Sequence, residues 1–332
     1  MKSSVPFSIL LSEFTGTERE TMTIQQLRYA VTISELGSLN KAAEVLYVAQ
    51  PSLTGAIREL EKELGVVLFS RSGRGVTPTN DGTEFLHYAR QVLQQYDVLL
   101  EKYGKGGKLK KKFGVSSQHY SFAVKSFVEL VKRFGMEEYE FSLRETRTRD
   151  VIDDVFTGKS ELGILYLSDF NRKPLEKILH TNGLEFHSLT ECSAYVYLWK
   201  GHPLAKKDRI RFEELADYPC LAFEQGGSGS FYFAEEILST AEYPRLIHAT
   251  DRATMLNLMV GLNGYTLCSG VICEELNGGD YAAIPFEPEE GAVGRSMEIG
   301  YITKKNMLLS SMAELYVAEL DRYLRHYQEA NA

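Results

Sequence analysis

The stretch 49-AQPSLTGAIRELEKELG-65 leaves the chain fewer choices than any other. Leu53, Ile57, Leu60 and Leu64 stand at i, i+4, i+7 and i+11, one stripe on a helix of 3.6 residues per turn. Pro51 suits the first turn, where its missing N–H would have had no partner. Winding the helix on that stripe turns Ser52, Gly55 and Arg58 outward, with Gln50 and Thr54 on the flanks. Short polar groups and an arginine at an exposed helix start are equipped to read base edges. A solvated amphipathic helix carries the same pattern, so the neighbouring segments decide.

Upstream, 38-SLNKAAEVLYV-48 predicts a shorter helix capped by Ser38, with Lys41 in its first turn and Leu39, Ala42, Ala43 and Leu46 inward. An earlier amphipathic helix, Ile24 to Leu36, packs through Leu27, Ala30, Val31 and Ser34. Three helices with a tight link between the second and third form a helix-turn-helix, whose second motif helix enters the major groove. Val66 to Phe69 and Val76 to Thr77 predict two short strands around Gly73 and Gly75. Arg71 and Arg74 on that hairpin are placed to lie along a phosphate backbone.

The run 37-GSLNKAAEVLYVAQPSLTGAIRELEKELGVVLFSRSGRGVTPTNDG-82 resembles the amino-terminal domain of the LysR-type transcriptional regulators. Ala42-Ala43, Gln50-Pro51-Ser52, Leu60-Glu61, Leu64-Gly65 and Leu68-Phe69 followed by Arg71 carry the resemblance. It is strong over residues 23–103 and looser beyond. Two positions depart from the pattern: Ala49 stands where Ser is usual, and Gly55 where a long polar side chain is common. The resemblance implies a winged helix-turn-helix that binds double-stranded promoter DNA through Ser38, Lys41, Gln50, Pro51, Ser52, Thr54, Gly55, Arg58, Arg71 and Arg74.

The formal net charge of −8 looks unsuited to DNA until it is counted by segment. Residues 22–112 carry 13 Lys and Arg against 9 Asp and Glu, while residues 113–332 carry 22 against 33. A modestly basic module is attached to an acidic body. Phosphate attraction follows the local field rather than the total.

After Thr79, Phe85, Ala89, Val92, Tyr96, Leu99 and Tyr103 recur in alternating steps of four and three, a heptad seam nearly three repeats long. Residues 81–104 therefore predict a long linker helix. Packing within its own chain is one use of the seam. Pairing with the same helix of a second subunit is the preferred one, because two modules on a two-fold axis match dyad half-sites. A homodimer, extended to a tetramer, is expected. A Gly and Lys run over residues 105–112 predicts a hinge.

From Phe113 onward strands alternate with helices, an α/β pattern. Strands are expected at Phe113–Ser116, Tyr139–Glu145, Leu162–Tyr166, Ala194–Trp199, Leu221–Glu224, Leu267–Ser269, Ile284–Phe286 and Glu298–Thr303. Helices are expected at Phe122–Phe134, Asp150–Thr157 and Met307–Tyr327. His202-Pro203-Leu204-Ala205, the stretch from Gly158 to Gly163, and 261-GLNGYTLCSG-270 are similar to the effector-binding half of the same regulators. That similarity implies a two-lobed domain built like periplasmic solute-binding proteins, lobe I over residues 113–190 and 290–327, lobe II over residues 191–289.

Ligands of open α/β lobes bind beyond the carboxyl ends of strands. The rule selects Ser116, Ser117 and Gln118, then Thr146, Arg147 and Thr148, then Phe223, Gln225, Gly226 and Ser228 in the other lobe, with Ser269 beside them. Such groups at helix N-termini suit a carboxylate, so a small anionic metabolite is the expected effector. A plain surface loop is the other reading of the Gly and Ser run.

Enzyme chemistry finds little support. The seven histidines are scattered without a metal spacing, no nucleophile elbow or phosphate loop is present, and no cofactor motif is found. Cys192, Cys220, Cys268 and Cys273 fit reduced thiols in a cytoplasmic protein, with Cys268 and Cys273 kept as a redox-sensing alternative. A solute-binding or enzymatic α/β protein with a DNA-like appendage is the remaining rival. No apolar run approaches the roughly 20 residues of a membrane span. Residues 1–21 predict a disordered leader, or a reading frame that begins at Met22.

Overall fold

The computed structural model describes residues 22–72, 75–103, 111–134, 138–226, 231–237, 241–287 and 296–330. It falls into two units, Met1–Tyr96 and Asp97–Ala332.

In the first unit, α1 (Ile24–Leu36) opens on a capping box in which Gln26 N donates to Thr23 Oγ1 and Thr23 N donates to the Gln26 side chain. It stops at Gly37, whose φ of +60° suits a residue without Cβ. The Gly37 carbonyl then accepts Val76 N at 2.9 Å, tying the helix end to the wing. α2 (Leu39–Val45) is capped by Ser38, which accepts Lys41 N. Tyr47, at φ +53°, turns the chain into α3 (Gln50–Leu64), whose cap residue Ala49 offers no side-chain bond. Leu53, Ile57 and Leu60 of α3 are buried with Ala30 and Ile33 of α1 and Ala42 and Ala43 of α2. At about 25 cal/mol per Å² of apolar surface, that stripe supplies most of what holds three short helices together.

The wing is an antiparallel pair, β1 (Phe69–Ser72) and β2 (Gly75–Pro78). β1 starts at the last residue of the expected strand, for a visible reason. Glu61 Oε1 accepts both Leu68 N at 2.8 Å and Phe69 N at 3.2 Å, so a side chain of α3 takes the donors that open the hairpin. α4 (Asn80–Tyr103) follows, with Thr79 Oγ1 accepting Gly82 N and donating to Val67 O. A Cβ on Gly82 would lie 1.9 Å from Leu68 O, so the helix can pass the wing this closely only with glycine there.

The second unit holds a five-stranded sheet in the order β4-β3-β5-β13-β6. Its strands are β3 (Lys111–Ser117), β4 (Tyr139–Glu145), β5 (Leu162–Leu167), β6 (Leu184–Ser193) and β13 (Ser296–Lys304). β3 is parallel to β4 and β5, and β13 is antiparallel to both β5 and β6. α5 (Ser121–Lys132) and α10 (Ser311–Ala330) pack with one face, α6 (Thr148–Thr157) and α7 (Arg172–Thr181) with the other. This is lobe I.

Lobe II contains β7 (Tyr195–Trp199), β8 (Ile210–Arg211), β9 (Cys220–Phe223), β10 (Leu246–Ala249), α8 (Arg252–Leu262), β11 (Thr266–Cys268), α9 (Glu274–Asn277) and β12 (Tyr281–Glu287). Four of its strands run β11-β7-β12-β8, and β9 pairs with β10 in parallel. Val115 and Ile164 of lobe I share one buried cluster with Val196 and Leu267 of lobe II. The α/β two-lobed architecture is the one expected. α7, α8, α9, β6, β8 and β10 are elements that the periodicity did not announce.

Candidate nucleic-acid interface and effector cavity

α3 presents Pro51, Ser52 and Arg58 to solvent, with Thr54 and Gly55 half-buried beside them. Arg58 and Arg71 are exposed, and neither forms an ion pair among the described residues. Gln50 Nε2 donates to Thr54 Oγ1 at 2.9 Å, so two of the residues singled out for base reading are bonded to each other. A Cβ on Gly55 would meet nothing within 4 Å, so packing does not require glycine at that position. Ser38 is occupied as a cap, while Lys41 is exposed. Arg74 lies outside the described residues.

The heptad seam of α4 serves two surfaces. Ala89 is buried against Leu27 with Leu93, and Phe85 packs on the same helix core. Tyr96 is half-buried, with the Arg28 guanidinium 5.9 Å from its ring centre. Val92 and Leu99, by contrast, are 47% and 55% exposed. Tyr103 closes the helix; its side chain lies outside the described residues.

In the second unit the residues after β3 and β4 come together with those after β9, though not as open ligand groups. Gln118, fully buried, accepts Tyr120 OH and Tyr166 N on its carbonyl oxygen and donates to Thr148 Oγ1. Thr148 N donates to Gln225 Oε1 at 3.1 Å, and Gln225 Nε2 donates to Glu235 Oε1 at 2.9 Å. The N-terminus of α6, where an anion was expected, is therefore occupied by the protein's own amide. Ser116 hydrogen-bonds Asp154 and Ser160, Ser117 bonds the Gln118 carbonyl, and Thr146 bonds Asp150. Arg147 stands 3.8 Å from Glu224 and next to Gly226. Ser228 lies outside the described residues.

A cavity of about 70 Å³ sits between the lobes. Of the expected ligand residues that are described, only Phe223 and Ser269 line it; His119, Tyr197, Glu235, Glu236 and Arg252 join them, along with Met255, Met259, Leu267, Val271 and Ile272. Phe223 stacks on the His119 ring at 3.9 Å. His119 Nδ1 lies 2.9 Å from Glu235, and His119 N donates to the same carboxylate. Burial works against a charged His119, yet the Glu235 carboxylate outweighs it and the net shift is upward. Burial, and then the Glu235 charge, push the Glu236 carboxyl up to about 8. No pattern in 231-FYFAEEIL-238 marked these acids; His119, directly after Gln118, was the nearest available signal.

The cysteines do not resemble activated thiols. Burial raises Cys268 to about 12 and Cys192 to about 11, and Cys273 is buried. A peroxide-reactive cysteine requires the opposite shift, toward thiolate. Among the described residues no three His, Cys, Asp or Glu side chains are placed to hold a metal, and no helix is long and apolar enough to cross a membrane.

Comparison with known proteins agrees with both halves. Residues 24–83 match the family described as "Bacterial regulatory helix-turn-helix protein, lysR family", and residues 119–325 match "LysR substrate binding domain". The chain is 26% identical over 254 residues to the hydrogen peroxide-inducible genes activator of Pectobacterium carotovorum subsp. carotovorum, covering 74% of this chain and 79% of that protein. It is 29% identical over 248 residues to the HTH-type transcriptional regulator AlsR of Bacillus subtilis, covering 73% and 77%. A full-length OxyR variant from Pseudomonas aeruginosa superimposes with a TM-score of 0.64 at 20% identity, covering 91% of this chain and 95% of that one. Full-length CbnR complexed with its target DNA gives 0.53 at 20% identity, covering 91% and 100%. With two matched domains spanning the helix-turn-helix and the lobed half, the chain belongs to the LysR family of DNA-binding transcriptional regulators.

Proposed function

We propose that this regulator reads dyad half-sites in promoter DNA through α3, is held as a dimer by α4, and takes its effector in the interlobe cavity. The edge of exposed Ser52 and Arg58 with half-buried Gly55 between them carries the reading, because it offers a short polar group and one long donor where a major groove would lie. Ser38, Lys41, Gln50, Pro51 and Thr54 flank that edge, and Arg71 and Arg74 belong to the wing. Its work is regulation rather than catalysis, and it acts in the cytoplasm where promoters are found.

Gel retardation on the protein's own upstream region tests the DNA reading. Arg58→Ala is expected to weaken specific binding by roughly 1–3 kcal/mol with little effect on random duplex. Arg71→Ala should weaken both alike and reduce the salt slope by about one. Equal losses on both duplexes for Arg58→Ala would reassign that side chain to phosphate.

The dimer reading rests on Val92 and Leu99, apolar side chains left in solvent on a long helix. Val92→Glu with Leu99→Glu should convert the dimer to monomer in sedimentation at micromolar concentration, without loss of helix content. An unchanged sedimentation coefficient would remove α4 from the interface. Lobe movement on effector binding would then alter the spacing of paired DNA modules, a shift between two assemblies.

A further inference from the structure

Among the described residues, each cation that reaches the interlobe cavity is already matched by a carboxylate. Arg252 Nε lies 2.9 Å from one oxygen of Glu145 and 3.1 Å from the other, and another Arg252 nitrogen donates to Asn277 Oδ1. His119 is bound to Glu235 and covered on one ring face by Phe223. One carboxyl group is left over. Glu236 is 7% exposed, and its neighbours are backbone N–H groups, Phe223 N at 2.8 Å among them, and the Glu235 carboxylate. Methionines and branched aliphatic side chains make up most of the remaining wall.

An anion entering this space would lose its water and find no unmatched positive charge among the described residues, the condition under which burying a charge is most costly. A donor would find Glu236, and an apolar body would find Met255, Met259, Leu267 and Ile272. Granting that the cavity is the effector site, we propose that the effector is a mainly apolar molecule whose polar end is a hydrogen-bond donor, an amine or an alcohol. A carboxylate or phosphate is excluded, and Glu236 receives the donor. The expectation of an anion came largely from Ser116, Ser117, Thr146, Thr148 and the N-terminus of α6, which the fold uses for its own bonds.

Three five-carbon compounds with one shared body test this on the full-length protein near pH 9, where the Glu236 carboxyl is ionised in the fold: 3-methylbutylamine, 3-methylbutanol and 3-methylbutanoate. Calorimetric titration, with melting temperature as a second readout, should show the amine or the alcohol binding at least tenfold more tightly than the carboxylate. A leading amine identifies an ammonium end, and Glu236→Gln should then cost it about tenfold while changing the alcohol less than threefold. A leading alcohol identifies a hydroxyl end. If the carboxylate binds as well as either, if none of the three binds, or if Glu236→Gln leaves a leading amine unchanged, the assignment is overturned. Met259→Trp, which fills the cavity, separates this failure from that of the underlying reading. Compounds that bind Met259→Trp with wild-type affinity do not occupy the cavity at all. A carboxylate preference that Met259→Trp abolishes sinks the donor assignment alone.

Discussion

Replacing Glu61 by alanine is expected to destabilise the DNA-binding unit by roughly 2–4 kcal/mol, because two backbone N–H groups lose one acceptor together. Leu68 N and Phe69 N both point at Glu61 Oε1, and they stand where the chain leaves α3 to begin the wing. The loss is a large share of the stability of a module this size. Glu61→Gln keeps an oxygen at the same reach and should cost only about 1 kcal/mol. Amide hydrogen exchange gives the direct measurement: Leu68 and Phe69 should lose protection in the alanine variant before the core amides of Leu53 and Ile57 do. Because the wing carries Arg71, affinity for random duplex should fall as well. Unchanged protection at both amides would mean that the carboxylate is incidental.

The second large effect is a pH dependence. Glu236 is raised to about 8 in the folded protein against an ordinary 4.5, so between those values the folded state holds a proton that the unfolded chain has released. Stability then falls as pH rises through that window. The contribution is complete below about pH 4.5 and lost above the folded value. At 1.36 kcal/mol per pH unit, the full span is on the order of 5 kcal/mol. His119, also raised, acts in the same sense, contributing below its unfolded value and fading as pH climbs through the folded one. Glu236→Gln retains His119, so the difference between the two proteins isolates Glu236. Urea midpoints at about pH 5, 7 and 9, followed through the fluorescence of Trp199, the single tryptophan, report the unit that contains it. The wild-type midpoint should drop relative to the variant across this series. Parallel lines would show that the carboxyl ionises freely in the fold.

The winged helix-turn-helix was legible because its information is local. Leu53, Ile57 and Leu60 announce their own buried stripe, and Ser38 and Gly37 punctuate the helices within a few residues of where they act. Glu61 was legible as a residue type at a family position but not as a tether, since on a helical wheel it looks like one more solvated acid. In the lobed half the layering was readable and several elements were not. β6 reads 184-LEFHSLTECS-193, polar and apolar mixed as befits a sheet edge, and α8 reads 252-RATMLNLMVGL-262, apolar on nearly every side. Neither has the clean period by which an amphipathic element is found. The cavity was least readable of all. Its charge balance depends on pairs such as His119 with Glu235, 116 positions apart, and Glu145 with Arg252, 107 apart. Ser116, Thr148 and Gln225 were sensible ligand candidates until contacts within lobe I, for Ser116, and between the lobes, for Thr148 and Gln225, took up their hydrogen bonds.

If Gln50 and Thr54 read bases as proposed, the bond between them makes the free reader a closed clasp. The N–H that Gln50 gives and the lone pair with which Thr54 takes it reach a base only if the clasp opens, so a duplex that claims either has to offer at least what the clasp already has. An incorrect one leaves it shut, with that donor and acceptor still paired. Discrimination at this position is thus a contest between an internal partner and an external one, and its strength should track how good the replacement is rather than how many contacts are counted.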